Sequence, residues 1–236
     1  MEYYTLLLFG CLVGMQHALE ADHLTAVAAM STGRVSRRAL VLRGGFWGLG
    51  HTVTLLAICA VLLAVGQTIS PRTEAVLEAG VGIMLVLLGA SVLRSLWKKR
   101  PHFHMHEHAR GVRHLHWHSH SGDTPHSQSP HRHGHADIGL VRALTVGMMH
   151  GAAGSAGLLV LAAAADSIVN ALGYVLAFGA GSIIGMAALS FVASFPLKLM
   201  EHSAGWFNTA AVACIGCAAV FIGGGLIVEN WTVALP

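Results

Sequence analysis

Four ionisable side chains fall within seven residues of an otherwise apolar stretch, His17-Ala18-Leu19-Glu20-Ala21-Asp22-His23. A carboxylate near the centre of a membrane helix costs roughly 2.5 to 3.5 kcal/mol, so Glu20 and Asp22 together oppose insertion by about 5 to 7 kcal/mol unless something compensates. A divalent cation compensates, because carboxylate oxygen and neutral imidazole nitrogen both ligate metals of intermediate hardness such as nickel, cobalt and zinc. The alternative is an ion-pair and hydrogen-bond network that only fixes helix packing. No Arg or Lys lies in the apolar part of any predicted span to supply the positive side of such a network, which favours the metal.

At about 100° per residue, His17, Glu20 and His23 share one helical stripe and Asp22 points away from it. Either Asp22 makes a supporting or gating contact, or the helix unwinds locally and turns it inward, as broken helices do at transport sites. Two more histidines lie in apolar stretches, His51 after Gly50 and His150 before Gly151, each with a small neighbour that leaves room around the ring. Ser155, Ser182 and Asp166 are weaker candidates and stay outside the expected site. Twelve further histidines crowd residues 102 to 135, alternating at His102, His104, His106 and His108 and again at His114, His116, His118 and His120. Such a tract is expected to buffer metal at several weak, exchangeable sites, because a disordered segment preforms no geometry.

These groups need a scaffold that holds them in hydrocarbon. The 236 residues are 54% hydrophobic and 11% charged, with a mean hydropathy of +0.62, against roughly 25% charged in an ordinary soluble domain. Apolar stretches near 5–30, 40–66, 75–97, 138–165, 170–197 and 206–230 match the ~20 residues of a bilayer-crossing helix. The predicted fold is an all-α membrane protein of six transmembrane helices: residues 1–97 form a first three-helix repeat, 98–137 a flexible His-rich loop and 138–236 a second three-helix repeat. Gly14-Met15-Gln16-His17 is echoed by Gly147-Met148-Met149-His150, and Gly48-Leu49-Gly50-His51 by Gly179-Ala180-Gly181-Ser182. An odd number of spans per half turns the second half upside down, the inverted-repeat plan of many transporters, with the site near the midplane. His150 then faces its repeat mate His17. The pairs Gly10/Gly14, Gly44/Gly48 and Gly181/Gly185 are expected to let helices approach closely.

Arg34, Arg37, Arg38 and Arg43 fill the first connection, and Arg94, Lys98, Lys99, Arg100, Arg110, Arg113, Arg132 and Arg142 the third, whereas the opposite side holds Arg72. The positive-inside rule places the His-rich loop in the cytoplasm and both termini outside. The basic residues do not form a face with interleaved aromatics, so nucleic-acid binding is excluded. The start, Met1-Glu2-Tyr3-Tyr4, lacks the positive region of a cleaved signal peptide. Cys11, Cys59, Cys214 and Cys217 sit in apolar segments and read as packing residues, the C-x-x-C at 214–217 included.

At His17-Ala18-Leu19-Glu20-Ala21-Asp22-His23-Leu24 the chain resembles the nickel/cobalt transporter superfamily, whose first signature reads His-Ala-x-Asp-Ala-Asp-His followed by Ile or Leu; it departs at Glu20 and at Gln16, where Arg often precedes. Leu49-Gly50-His51-Thr52 matches the second signature. Later acidic motifs of that superfamily are missing from Phe178-Gly179-Ala180-Gly181-Ser182. The six-span form is similar to short relatives such as the urease-accessory nickel permeases. The resemblance implies transport of Ni2+ or Co2+ across a prokaryotic plasma membrane, with uptake the favoured direction and export the alternative. His17, Glu20 or Asp22, His23 and His51 would bind the ion as substrate, with His150 from the second half, and no prosthetic group is implied. Transport should weaken as pH falls through the histidine range, since only neutral imidazole ligates. Two rival readings are an integral-membrane metalloenzyme and a transmembrane thiol-redox carrier. The first lacks H-E-x-x-H, and the second would need a cysteine in the fourth span.

Overall fold

The computed structural model describes residues 2–31, 36–66, 69–99, 102–107, 113–118, 136–153, 167–201 and 205–234. Seven helices account for nearly all of them: α1 (Glu2–His17), α2 (Ala21–Met30), α3 (Arg37–Val65), α4 (Pro71–Lys99), α5 (Ala136–Ala153), α6 (Ile168–Glu201) and α7 (Gly205–Ala234). Four stretches, in α3, α4, α6 and α7, are long and apolar enough to cross a membrane, with mean hydropathies of 2.1, 2.2, 2.0 and 2.4. Large apolar side chains point outward from all four, among them Val61, Leu87, Val192 and Phe221. A soluble protein does not expose such a girdle, and the chain is a multi-pass membrane protein.

Two expectations need correction. The first span is not one helix: α1 stops at His17, the chain turns through Leu19 N–H to Gln16 C=O and Glu20 N–H to His17 C=O bonds, and α2 restarts with Glu20 as an extended N-cap. Acidic residues are stabilising at a helix N-terminus, so Glu20 and Asp22 favour a fresh helix start over continuation. The His-rich segment is also not structureless. Strands β1 (His102–Glu107) and β2 (Arg113–His118) pair antiparallel, because a two-residue repeat suits a strand and a ladder needs no apolar core to satisfy its backbone. His108 and His120 lie outside the described residues, as do Ser155 and Asp166.

Helix ends are individually specified. Ser36 accepts a hydrogen bond from Ala39 N–H at the start of α3, and Gly66, with φ 67°, closes its end in the left-handed region. Arg43 donates to the Met30 carbonyl at the end of α2, where a cation complements the helix dipole.

The centre is built on close approach. A methyl group at Gly14 would strike the Phe178 carbonyl, one at Gly181 the Cys11 carbonyl, and one at Gly48 would lie 2.6 Å from Ile183 Cα. Each contact has a counterpart: Gly147 abuts the Trp47 carbonyl, Gly50 the Leu144 carbonyl, and Gly179 the Thr52 side chain. α1 therefore runs parallel to α6, α3 parallel to α5, and α3 antiparallel to α6. Outside this core α4 and α7 pack antiparallel, with Gly82 on Gly223 and Gly89 on Gly216. Arg72 at the start of α4 donates to the carbonyl of Ala234 at the end of α7.

Candidate metal centre

The break between α1 and α2 sits where the core helices meet, and it gathers four imidazoles. Ring centroids are 4.6 Å apart for His17 and His23, 5.1 Å for His17 and His51, and 5.6 Å for His23 and His51. The ring of His150 of α5 lies 4.6 Å from that of His23, tilted by 54°. Trp47 lies 5.2 Å from His23 and 5.4 Å from His150, and Phe178 lies 5.4 Å from His17. These two aromatics, from α3 and α6, wall the cluster.

Each ring but one is held by its Nδ1. His17 Nδ1 lies 2.8 Å from Glu20 Oε1, His23 Nδ1 lies 2.9 Å from Asp22 Oδ1, and His150 Nδ1 lies 3.3 Å from the Val146 carbonyl oxygen. Carboxylates and carbonyls only accept, so the neutral rings carry their proton on Nδ1 and leave a lone pair on Nε2. The Nε2 atoms of His17, His23 and His150 are buried without a hydrogen-bond partner, and so are both nitrogens of His51. Each unsatisfied buried polar atom costs about 1 to 3 kcal/mol. Concentrated in one place, that cost marks a site prepared for something that accepts lone pairs.

The donor atoms form two overlapping triads, His17–His23–His51 and Asp22–His23–His150, each with its ligand atoms within 4.8 Å of one another. Three ligands on one tetrahedral ion with bonds of roughly 2.0 to 2.1 Å stand about 3.3 to 3.4 Å apart, so the donors of either triad would draw together to close on an ion. His23, 2% exposed, belongs to both. Asp22 divides its carboxylate: Oδ1 accepts from the backbone N–H and Nδ1 of His23, while Oδ2 lies 3.6 Å from His150 Nε2. The local unwinding turns Asp22 in from the direction that uninterrupted periodicity gives it.

Glu20 stands apart from both triads. Its side chain is 57% exposed and grips His17 from the side, which orients that ring without placing the carboxylate among the donors. Ser182 at the position matching His51 spends its hydroxyl on the Gly14 carbonyl. Three residues of the site were not singled out from sequence. Trp47 and Phe178 look like ordinary core aromatics there. Glu78 of α4 was visible by the rule that marked Glu20 and Asp22, a carboxylate in an apolar span.

Beside the triads lies a cavity of about 330 Å³, lined by His17, Glu20, Asp22, His23, Glu78 and His150 on its polar side. Val81, Ala153, Ile222 and Leu226 complete its wall. Among the described residues no Arg or Lys pairs with Glu20, Asp22 or Glu78; the carboxylates face imidazoles and open space.

Residues 8–224 match the family described as the transmembrane region of cytochrome C biogenesis proteins. The chain is also similar to urease accessory protein UreH of Bacillus sp. (strain TB-90), at 32% identity over 199 residues that cover 84% of this chain and 80% of that relative. No solved structure matches. With the matched region running from α1 into α7, the chain belongs to the family of cytochrome C biogenesis protein transmembrane regions, with a urease accessory protein among its relatives.

Proposed function

We propose that this protein carries a divalent transition-metal cation, Ni2+ or Co2+, across a prokaryotic plasma membrane by alternating access between two inverted three-helix halves. The observation that carries the reading is the set of three imidazoles fixed through Nδ1 with bare, buried Nε2 atoms, converging with His51 at a broken helix. Fixing the far nitrogen of a ligating histidine sets its tautomer and raises its basicity. The C-terminal end of α1 adds carbonyl dipoles that favour a cation. Because His23 serves both triads, an ion held by His17, His23 and His51 reaches Asp22 and His150 by exchanging ligands around one shared ring.

The paired glycine contacts support the inverted repeat. When Gly14 is set on Gly147 and Gly48 on Gly179, Trp47 falls on Phe178, Cys11 on Leu144 and Thr52 on Ile183, so the contacts Gly14–Phe178, Gly181–Cys11 and Gly48–Ile183 each recur with the two halves exchanged. The relative named for urease favours nickel within the pair, urease being a nickel enzyme. The basic first and third connections orient the His-rich segment to the cytoplasm, with uptake as the direction.

The family description supports a second reading, transfer of reducing equivalents by thiols. Such a carrier needs two cysteines that can meet across the halves. Cys11 corresponds to Leu144 in the other half, Cys59 is buried, and Cys214 and Cys217 are exposed on the flank of α7. Flux measurement in proteoliposomes separates the two readings. Wild type loads Ni2+ onto an entrapped indicator, His51→Ala does not, and Cys11→Ser with Cys59→Ser leaves the flux intact. Wild-type vesicles that fail to load metal would sink the transport reading.

A further inference from the structure

Metal transport through the histidine triads leaves Glu78 without a task. It lies on α4, outside the signature stretches, and among the described residues nothing bonds or pairs with its carboxylate. We infer that the cavity between the α1–α2 break and the α4–α7 pair is a capture vestibule for the hydrated divalent cation, with Glu78 as the outlying carboxylate that holds the ion through its water shell. This rests on the transport reading above and assigns a step that precedes ligation by the histidines.

Size is the first argument. Six waters around an ion fill roughly 180 Å³ at about 30 Å³ each, and the cavity offers about 330 Å³; the triads, with donors within 4.8 Å of one another, have no room for that shell. The ion must therefore meet the cavity wet and the triads stripped. Charge is the second argument. Glu20, Asp22 and Glu78 share the cavity lining, and low-dielectric walls of Val81, Ile222 and Leu226 focus their field on its interior. The third is the destination. The unpartnered Nε2 atoms of His23 and His150 belong to rings only 2% exposed that line the same cavity, so a captured ion finds its next ligands along its wall.

The vestibule is also one-sided. Setting Gly82 and Gly89 of α4 on Gly216 and Gly223 of α7 brings Glu78 onto Val212. The second half has no acid at that position, so capture belongs to the first half alone.

The test is Ni2+ flux by the full chain in proteoliposomes, comparing wild type, Glu78→Gln, Glu78→Asp and His51→Ala after each is shown monodisperse. Glu78→Gln is expected to raise the half-saturating Ni2+ concentration roughly fivefold to tenfold and to leave the maximal rate within about twofold, with a shallower dependence on ionic strength. Glu78→Asp, which keeps the charge, is expected to restore most of the loss. Unchanged half-saturation in Glu78→Gln overturns the vestibule while leaving the transport reading in place. Loss of maximal rate in Glu78→Gln comparable to His51→Ala also overturns it, because Glu78 would then ligate in the transport step. Absence of any wild-type flux overturns the transport reading and the vestibule with it.

Discussion

The chemistry of the site comes down to which nitrogen of each ring is spoken for. Glu20 and Asp22 hold the Nδ1 atoms of His17 and His23, so their value lies in an acceptor oxygen at a fixed point, and Glu20 has no place among the donors. Glu20→Gln keeps that acceptor and is expected to hold the maximal rate near wild type, losing apparent affinity only through the missing cavity charge and by no more than Glu78→Gln does, whereas Glu20→Ala also frees the His17 ring and should weaken apparent Ni2+ affinity by about 10- to 100-fold. Equal losses in both variants would make Glu20 a charge ligand instead. His51 has neither nitrogen occupied, and its removal should take away the metal-linked stabilisation that the His17–His23–His51 triad supplies, leaving only what Asp22, His23 and His150 provide. At a free Ni2+ concentration about a hundred times the dissociation constant, wild type gains roughly 2.7 kcal/mol, and a thermal melt of His51→Ala should show a clearly smaller gain. Charge in an apolar run made His17, Glu20, Asp22 and His23 legible from sequence. The division of labour between Glu20 and Asp22 was not legible, because it depends on the turn between α1 and α2.

That turn carries no sequence warning of the usual kind. Ala18, Leu19 and Glu20 are good helix formers, with no Gly or Pro among them, so local propensity predicts an unbroken span. What breaks the helix is the acids' preference for a new N-terminus and the packing of Ala18 against Gly185, a tertiary contact. The long spans α3, α4, α6 and α7 were legible because apolar length alone defines them, with ends shifted by several residues. Glycines within them were legible as packing sites only in part. Gly44 and Gly45 are neighbours on α3, yet a methyl at Gly44 would stand 2.6 Å from the Met186 carbonyl oxygen, while one at Gly45 meets nothing within 4 Å. Gly44→Ala should therefore destabilise the folded protein by about 1 to 3 kcal/mol through overpacking. Gly45→Ala should stabilise it by about 0.5 to 1 kcal/mol through helix propensity. Unfolding midpoints in the same detergent, moving in opposite directions for adjacent residues, would check both.

Across the whole molecule, histidine is used in two unlike ways, and the difference follows from what holds the rings. In the membrane core, three rings are oriented by fixed acceptors and His23, His51 and His150 are buried, so binding there should be selective and should report on the packing of the helices that supply them. In the hairpin, the strand register sets His102 opposite His118, His104 opposite His116, and His106 opposite His114, three histidine pairs. The alternation was legible in the sequence; the pairing was not, because register depends on a partner strand that composition does not specify. Metal bound there draws on many equivalent imidazoles and should exchange readily. Deleting residues 102–118 is expected to remove most of the Ni2+ bound per protein in equilibrium dialysis while leaving the thermal shift and the half-saturating concentration for flux within about twofold of wild type, because neither quantity depends on the hairpin. A deletion that lowered stoichiometry and flux affinity together would mean that hairpin and core act as one site, and the separation between storage and passage would have to be given up.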